Sequence, residues 1–328
     1  MNILLLKSVL EIIKKISIKI RGFFYLIPGL VSFLCKKKII FMVDGGLGSQ
    51  MWQYAVGQAI ERCSGVNVYY DVSAFKGQQM DILGINKRNW QLDKVHSKVK
   101  VKKATDCEVV FYRFFLSANK FREVFLKFDE KTLHSKKARY LGGYYTNVKY
   151  LECVEGYIKN IYDFDSVQLS GKNAETFDAI NKSSCSVAIH IRRGDFIGWV
   201  GDVADKNYYM EAVDKMNALN KSNMVNYFVF SNDPTYCKEI FSERTEKFYY
   251  VDDNDNDDGH LDMFLMSNCH NFIICSSSVG WWAAYLSKRS ETKYVIKSEP
   301  HRKIDTDEDF GYKLCPNWLP INVRRCLV

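Results

Sequence analysis

The chain has 328 residues, 47% of them hydrophobic and 26% charged, which is the composition of a globular protein and not of a disordered or fully membrane-embedded one. Its net charge of +8 is almost wholly N-terminal: residues 1–40 hold eight basic groups and one acid, whereas the other 288 residues hold 38 basic and 37 acidic groups. The body is therefore near neutral and gives no argument for a nucleic-acid partner, and ten cysteines without a C-x-x-C pair argue for a reduced cytoplasmic setting over a disulfide framework.

Residues 3–20 place Lys7, Glu11, Lys14, Lys15 and Lys19 on one helical stripe, with Leu5, Leu6, Val9, Ile12, Ile13, Ile16 and Ile20 opposite. Residues 22–35 are apolar but number only fourteen and contain Pro28, whereas a spanning helix needs about 20 apolar residues. The order of charge and apolar residues does not fit a secretory signal. Two readings fit residues 1–37: an amphipathic segment lying on an anionic membrane surface, aided by Lys36, Lys37 and Lys38, or a helix packed on the body. The first is the expectation, and it puts the protein peripherally on the inner face of the cytoplasmic membrane.

The body opens with a buried-strand run, Lys38 to Val43, then a glycine-rich turn from Asp44 to Ser49, a helix through Met51 to Cys63 and a second strand at Val66 to Tyr70. Lys98 to Lys103 alternates basic and apolar residues, and Leu141 to Tyr145 reads as an aromatic loop. Polar residues between Leu169 and Ser186 flank a short helical stretch and suggest a boundary, with one domain over 38–180 and a second over 181–328.

The second half has an α/β rhythm. Strands are expected at 185–191, Tyr227–Phe230, Phe248–Val251, Phe272–Cys275 and Tyr294–Ile296, with helices at Tyr208–Leu219, from Thr235, at Leu261–Cys269 and around Trp281. The polar clusters fall at the C-terminal ends of these strands, where open parallel sheets bind ligands. His190, Arg192, Arg193 and Asp195 end the first strand, Ser231 and Asp233 end the second, and Ser276, Ser277 and Ser278 lead from a strand into a helix.

Two adjacent guanidinium groups suit a phosphate, which each can bind through two parallel bonds. A helix N-terminus adds N–H groups and the positive end of its dipole. Arg192 is the candidate for direct diphosphate contact, and Arg193 the candidate to support it or to brace Asp195. Asp195 could act as base or orient the arginines, and His190 could bind the nucleotide. Asp233 has two open roles, reading a base or ribose and capping the next helix.

The turn at Gly45-Gly46-Leu47-Gly48 lacks the Gly-Lys-Ser/Thr of a P-loop and the third glycine of a dinucleotide fingerprint, where Met51 stands. What it retains is close backbone approach at Gly46 and Gly48. Asp253-Asn254-Asp255 has the D-x-D spacing of metal-dependent sugar transferases, but it lies in a run of alternating Asp and Asn and reads as a solvated loop. His134, His260 and His301 are isolated.

Taken together, these motifs resemble the α-1,2-fucosyltransferases of glycosyltransferase family 11. The family's G-G-L-G-N-Q-M-F-Q-Y-A opening is similar to Gly45 through Ala55, its H-I-R-R-G-D-Y/F box to His190 through Phe196, and its F-S-D-D segment to Phe230 through Asp233. Its D-M-x-L-M-S-x-C stretch is matched at Asp262 through Cys269, its serine and double-Trp helix at Cys275 through Leu286, and its aromatic loop at Gly143 through Leu151.

The resemblance implies a GT-B-like α/β fold, two Rossmann-like doubly wound domains facing a cleft, here with an N-terminal amphipathic extension. It also implies GDP-fucose as donor, inversion without a metal or other cofactor, and a galactose-containing oligosaccharide or lipid-linked glycan as acceptor, in O-antigen assembly for a bacterial chain. Another GDP-sugar, another linkage or a non-catalytic glycan-binding role are the alternatives. Ser49 stands where the family has Asn, Gly280 where it has Ser before the Trp pair, and shorter members lack the N-terminal extension.

Overall fold

The computed structural model describes residues 25–34, 37–77, 87–95, 99–118, 124–125, 127–165, 167–194, 204–221, 224–254, 258–290, 292–299 and 314–323. The expectations for residues 1–24 and for Asp195, Asp255 and His301 fall outside these residues.

In the first half, helix α1 over 25–34 precedes strand β1 (Ile39–Met42). Helix α2 (Leu47–Ser64), strand β2 (Val68–Asp71) and helix α3 (Asp106–Phe115) follow. Next come β3 (Val124–Phe125), α4 (Glu130–Leu133), β4 (Arg139–Leu141), β5 (Tyr144–Tyr145) and α5 (Glu155–Ile161). β1 pairs in parallel with β2 and β4 in a three-stranded sheet, and β3 pairs with β5. Alternation along β1 sends Ile39 and Phe41 toward α2, and Ile40 toward α3 and α1. α2 stops where Gly65 takes φ 72 and its N–H bonds Glu61 O, a left-handed C-terminal cap. α3 starts with a capping box between Thr105 and Glu108.

In the second half, α6 (Gly171–Lys182) leads into β6 (Cys185–Ile191), α7 (Lys206–Leu219), β7 (Val225–Ser231) and α8 (Pro234–Ile240). Then come β8 (Lys247–Val251), α9 (Gly259–Ser267), β9 (Asn271–Ile274), α10 (Ser278–Leu286), β10 (Val295–Glu299) and β11 (Leu319–Asn322). These strands form one parallel six-stranded sheet in the order β11–β10–β9–β6–β7–β8. β6 is buried at all seven positions, as a central parallel strand covered by helices on both faces must be. α6 packs on α9, with Phe177 stacked on Phe264 at 5.5 Å between ring centroids. No helix among the described residues is long and apolar enough to cross a membrane.

One sequence expectation is corrected and one strand is new. In the alternating stretch at 98–103, an isolated bridge joins Lys103 to Tyr70. The supposed loop at Leu141–Tyr145 is the end of β4 and all of β5, because its tyrosines are buried in the core. β11 was not expected at all. Pro320 disguises it, and proline is tolerated there because the strand lies at the sheet's edge.

The two sheets share one continuous apolar cluster. Its densest part is aromatic: Trp52 of α2 lies 4.5 Å from Trp281 and 5.2 Å from Trp282 of α10, centroid to centroid. Trp282 Nε1 donates to Gly48 O at 3.0 Å. The helix after the glycine-rich turn is thereby seated directly on the helix after the serine run.

Candidate functional site

β6 lies between β9 and β7, with His190 in register with Ile274 on one side and Phe230 on the other. The three segments leaving these strands, Arg192–Gly194, Ser231–Asp233 and Cys275–Ser278, are therefore neighbours at one edge of the sheet. Register alone brings together the polar clusters that lie some forty residues apart in sequence.

The loop after β6 is tied to the end of β7. Arg193 N donates to Asn232 Oδ1 at 2.9 Å, and Asn232 Nδ2 returns a bond to Arg193 O at 3.2 Å. Gly194 takes φ 62 there, and a Cβ on it would come 3.0 Å from Asn232 Nδ2. The Arg193 guanidinium stacks 3.6 Å over the Tyr236 ring, with Nε 3.3 Å from Asp233 Oδ2. Asp233 Oδ1 accepts from Tyr236 N at 3.1 Å and so caps α8. Ser231 Oγ accepts from Asp233 N at 3.0 Å, which shapes the turn into that cap. Arg193, Asp233 and Ser231 thus form a brace at the end of β7.

On the β9 side, the backbone of Arg192 and the ring of His190 both meet Cys275. The His190 ring is buried between α10 and Cys275, whose Sγ lies 3.9 Å from Nδ1. Burial first, and the Arg192 charge second, pull the imidazole pKa down to about 3. His190 is therefore a neutral hydrogen-bonding group at physiological pH. The Cys275 thiol is buried, which pushes its pKa up, although backbone N–H groups of Ser277 and Arg192 bond the sulfur.

α10 begins at Ser278 with Ser277 as its N-cap, and the Ser277 side chain makes no capping bond. First-turn N–H groups have no partner within their own helix. Ser276 Oγ is buried and makes no hydrogen bond among the described residues. A buried hydroxyl without a partner costs on the order of 1–3 kcal/mol, and this one lies at a helix start beside an arginine strand end.

The glycine-rich turn faces the same place. A Cβ on Gly48 would fall 2.8 Å from Ser278 C and Cβ and 2.9 Å from Val279 N, so only glycine lets α2 meet the start of α10. Gly46 leaves room beside Arg88, whose Nη1 would lie 4.0 Å from an added Cβ. The buried Gln50 amide fastens the Arg88 segment to the turn, donating to Gly45 O at 3.0 Å and Asn89 O at 2.9 Å and accepting from Gln91 N at 3.0 Å. Gln53 does the same for the aromatic segment, accepting from Asp44 N at 2.9 Å and donating to Gly143 O at 3.2 Å.

Sequence reasoning passed over Arg88 and Tyr236 and weighed Cys275 only as part of a weak metal cluster with Cys269 and His270. The available signal was Gln50 and Gln53: amides at buried positions in the first turns of a helix must bridge to backbone elsewhere. The described part of the D-x-D tract, Asp253 and Asn254, makes contacts with α6 and α9. Asp253 pairs with Lys172 at 2.5 Å, and Asn254 bonds Asn173 and, at 2.7 Å, Asp262. Among the described residues, no group of three His, Cys, Asp or Glu side chains gathers to hold a metal ion.

The profile of glycosyl transferase family 11 matches residues 86–322, which includes the whole six-stranded sheet. An α-1,2-colitosyltransferase of Escherichia coli is 30% identical over 307 residues, 86% of this chain and 98% of its own. The O-antigen biosynthesis glycosyltransferase WbnK of Escherichia coli is 25% identical over 293 residues, 77% of this chain and 91% of its own. Galactoside α-(1,2)-fucosyltransferase 2 of Pongo pygmaeus is 27% identical over 163 residues, 47% of this chain and 43% of its own.

Proposed function

The chain belongs to glycosyltransferase family 11, whose members transfer sugars, and on that premise we propose that it moves L-fucose from GDP-fucose to the 2-hydroxyl of a galactose, with inversion and without a metal. The observation that carries the reading is the unsatisfied Ser276 hydroxyl at the start of α10, beside the Arg192 strand end. A diphosphate there meets hydroxyl, N–H groups, helix dipole and guanidinium at once.

In the proposed reaction the acceptor oxygen attacks the anomeric carbon, the bond from that carbon to the diphosphate oxygen breaks, and GDP leaves with the electron pair. Arg192 and the start of α10 hold the developing charge. His190, neutral and buried, supplies a hydrogen bond to the donor in this reading. Asp195, which follows Gly194 in sequence, is the proposed proton acceptor, and the Arg193, Asn232 and Asp233 contacts hold the loop as far as Gly194 to β7. The glycine-rich turn and Arg88 form the opposite wall. The division into a 38–180 acceptor half and a 181–328 donor half belongs to the same proposal.

A second donor is favoured by the colitosyltransferase relative. Colitose is L-fucose without its 3-hydroxyl, so one phosphate site serves both, and any preference arises where that hydroxyl lies. The test is turnover of GDP-fucose, GDP-colitose and UDP-galactose with a β-galactoside acceptor, with and without excess EDTA. Fucosyl transfer in an α-1,2 linkage that EDTA leaves unchanged is expected. Preference for GDP-colitose would reassign the donor, and activity lost in EDTA and restored by manganese would overturn the metal-free reading.

A further inference from the structure

One surface of the molecule remains after the site is accounted for. α1 lies on α3, held by close contact at Gly29, where a Cβ would fall 2.4 Å from Phe111 Cβ and 2.6 Å from Cys107 O. Phe33 packs on Phe111 at 5.8 Å and on Tyr112 at 6.2 Å, and Ser32 Oγ donates to Glu108 Oε1 at 2.5 Å. That inner face accounts for Gly29, Ser32 and Phe33.

The outer face of α1 is also apolar. Ile27, Leu30, Val31 and Leu34 are all exposed, at the i, i+3, i+4, i+7 spacing of a single helical stripe, with Leu34 73% exposed. Beside it α3 exposes Val110, Phe114 and Phe115, with Phe114 76% exposed. A helix with apolar residues on both faces, next to a second helix showing paired phenylalanines, makes a contiguous patch of the kind that marks an interaction surface.

Charge selects the occupant. The two acids of α3 are neutralised, Asp106 by Lys76 and Glu108 by the buried Lys38. The chain before the helix carries Lys7, Lys14, Lys15, Lys19 and Arg21 against Glu11, and Lys36 and Lys37 follow it. An apolar patch flanked along the chain by basic residues is complementary to an anionic lipid leaflet, whose surface attracts basic residues while its interface accepts apolar side chains.

We infer that the outer faces of α1 and α3 together are a membrane-contact surface, on which the protein rests against anionic phospholipid. α3 and α1 cover one face of the three-stranded sheet, and α2, which reaches the site, covers the other. Docking through this patch leaves the site open to an acceptor brought along the bilayer. The inference stands apart from the choice of donor and acceptor, since its test reads binding and not transfer.

The test is co-sedimentation of the full chain with vesicles of phosphatidylethanolamine and phosphatidylglycerol at physiological salt. The wild type should bind them, and the Leu34→Asp, Phe114→Asp double variant should lose at least tenfold in partitioning while melting like the wild type. Met224→Asp, which alters an exposed methionine outside α1 and α3, is the control and should bind normally. Three results would overturn the inference. Unchanged binding of the double variant would leave residues 1–24 as the whole anchor. A marked fall in the double variant's melting temperature would mean that other parts of this chain cover the patch. A dimer by light scattering that the double variant dissolves would make the patch a contact between two copies.

Discussion

Arg192 and Arg193 are neighbours with different work to do. The Arg193 guanidinium stacks on Tyr236 and lies 3.3 Å from Asp233, whereas the Arg192 charge lowers the His190 pKa from the end of β6. Arg192→Ala should therefore lower turnover at saturating donor by on the order of 10²–10³ with the melting temperature unchanged. Retention of a tenth of wild-type turnover would remove Arg192 from the diphosphate. Asp233→Ala should act differently, weakening GDP affinity in calorimetry together with some loss of stability, because both a helix cap and the Arg193 brace go. Gly280 makes a second residue-level case. An added Cβ would lie 2.6 Å from His190 Nδ1 and 3.0 Å from its Cβ and Cγ. Replacing a helix-interior glycine by alanine normally stabilises by about 1 kcal/mol. Here the sign should reverse, with Gly280→Ala costing about 1–3 kcal/mol as the imidazole or the helix is forced aside. A raised melting temperature with full activity would show that the contact yields freely.

At the scale of elements, the seat of α2 on α10 joins the two sheets. Gly48→Ala would wedge backbone against backbone at Ser278 and Val279, where no flexible side chain can give way. We expect a fall in both stability and donor affinity, read together by thermal melting with and without GDP. Loss of stability alone would detach the junction from the donor site.

The same junction explains what was legible beforehand. Ligands in parallel sheets bind at the carboxyl ends of strands, so His190, Arg192, Asp233 and the serine run could be placed at one sheet edge from pattern alone. Which groups are spent on structure could not, because the Arg193 to Tyr236 stack and the Asn232 clasp depend on loop conformation. Arg88 was invisible because Gln50, a helix residue, carries its segment to the turn. β11 hid behind Pro320, and the outer stripe of α1 could not be told from its inner one until α3 was seen to occupy the latter.

For the whole molecule, two buried groups should pull stability in opposite directions with pH. His190 is held to about 3, so between that value and its ordinary 6.5 the unfolded chain binds a proton that the folded one refuses. Stability from this group is present above pH 6.5 and is lost as the pH falls, at about 1.4 kcal/mol per unit. Asp262, at the first turn of α9, is pushed up to about 7 by burial, with Asp258 and Asp253 adding to the shift and the Asn254 bond opposing it. Its proton stays on in the fold where the unfolded chain has lost it, so its contribution is full below about pH 4 and is lost as the pH rises toward 7. Between about pH 4 and 6.5 the two slopes cancel, and the wild type hides both. Single variants should uncover them. Relative to wild type, His190→Gln should gain about 2 kcal/mol as the pH is lowered from 7 to 5, and Asp262→Asn should gain a similar amount as it is raised from 5 to 7. Each comparison subtracts every other titrating group, so urea unfolding at three pH values suffices. A difference from wild type that stays constant with pH would mean that the altered residue titrates alike in the folded and unfolded chain. For His190 that would mean an imidazole of ordinary proton affinity, and would return it to the candidates for the base.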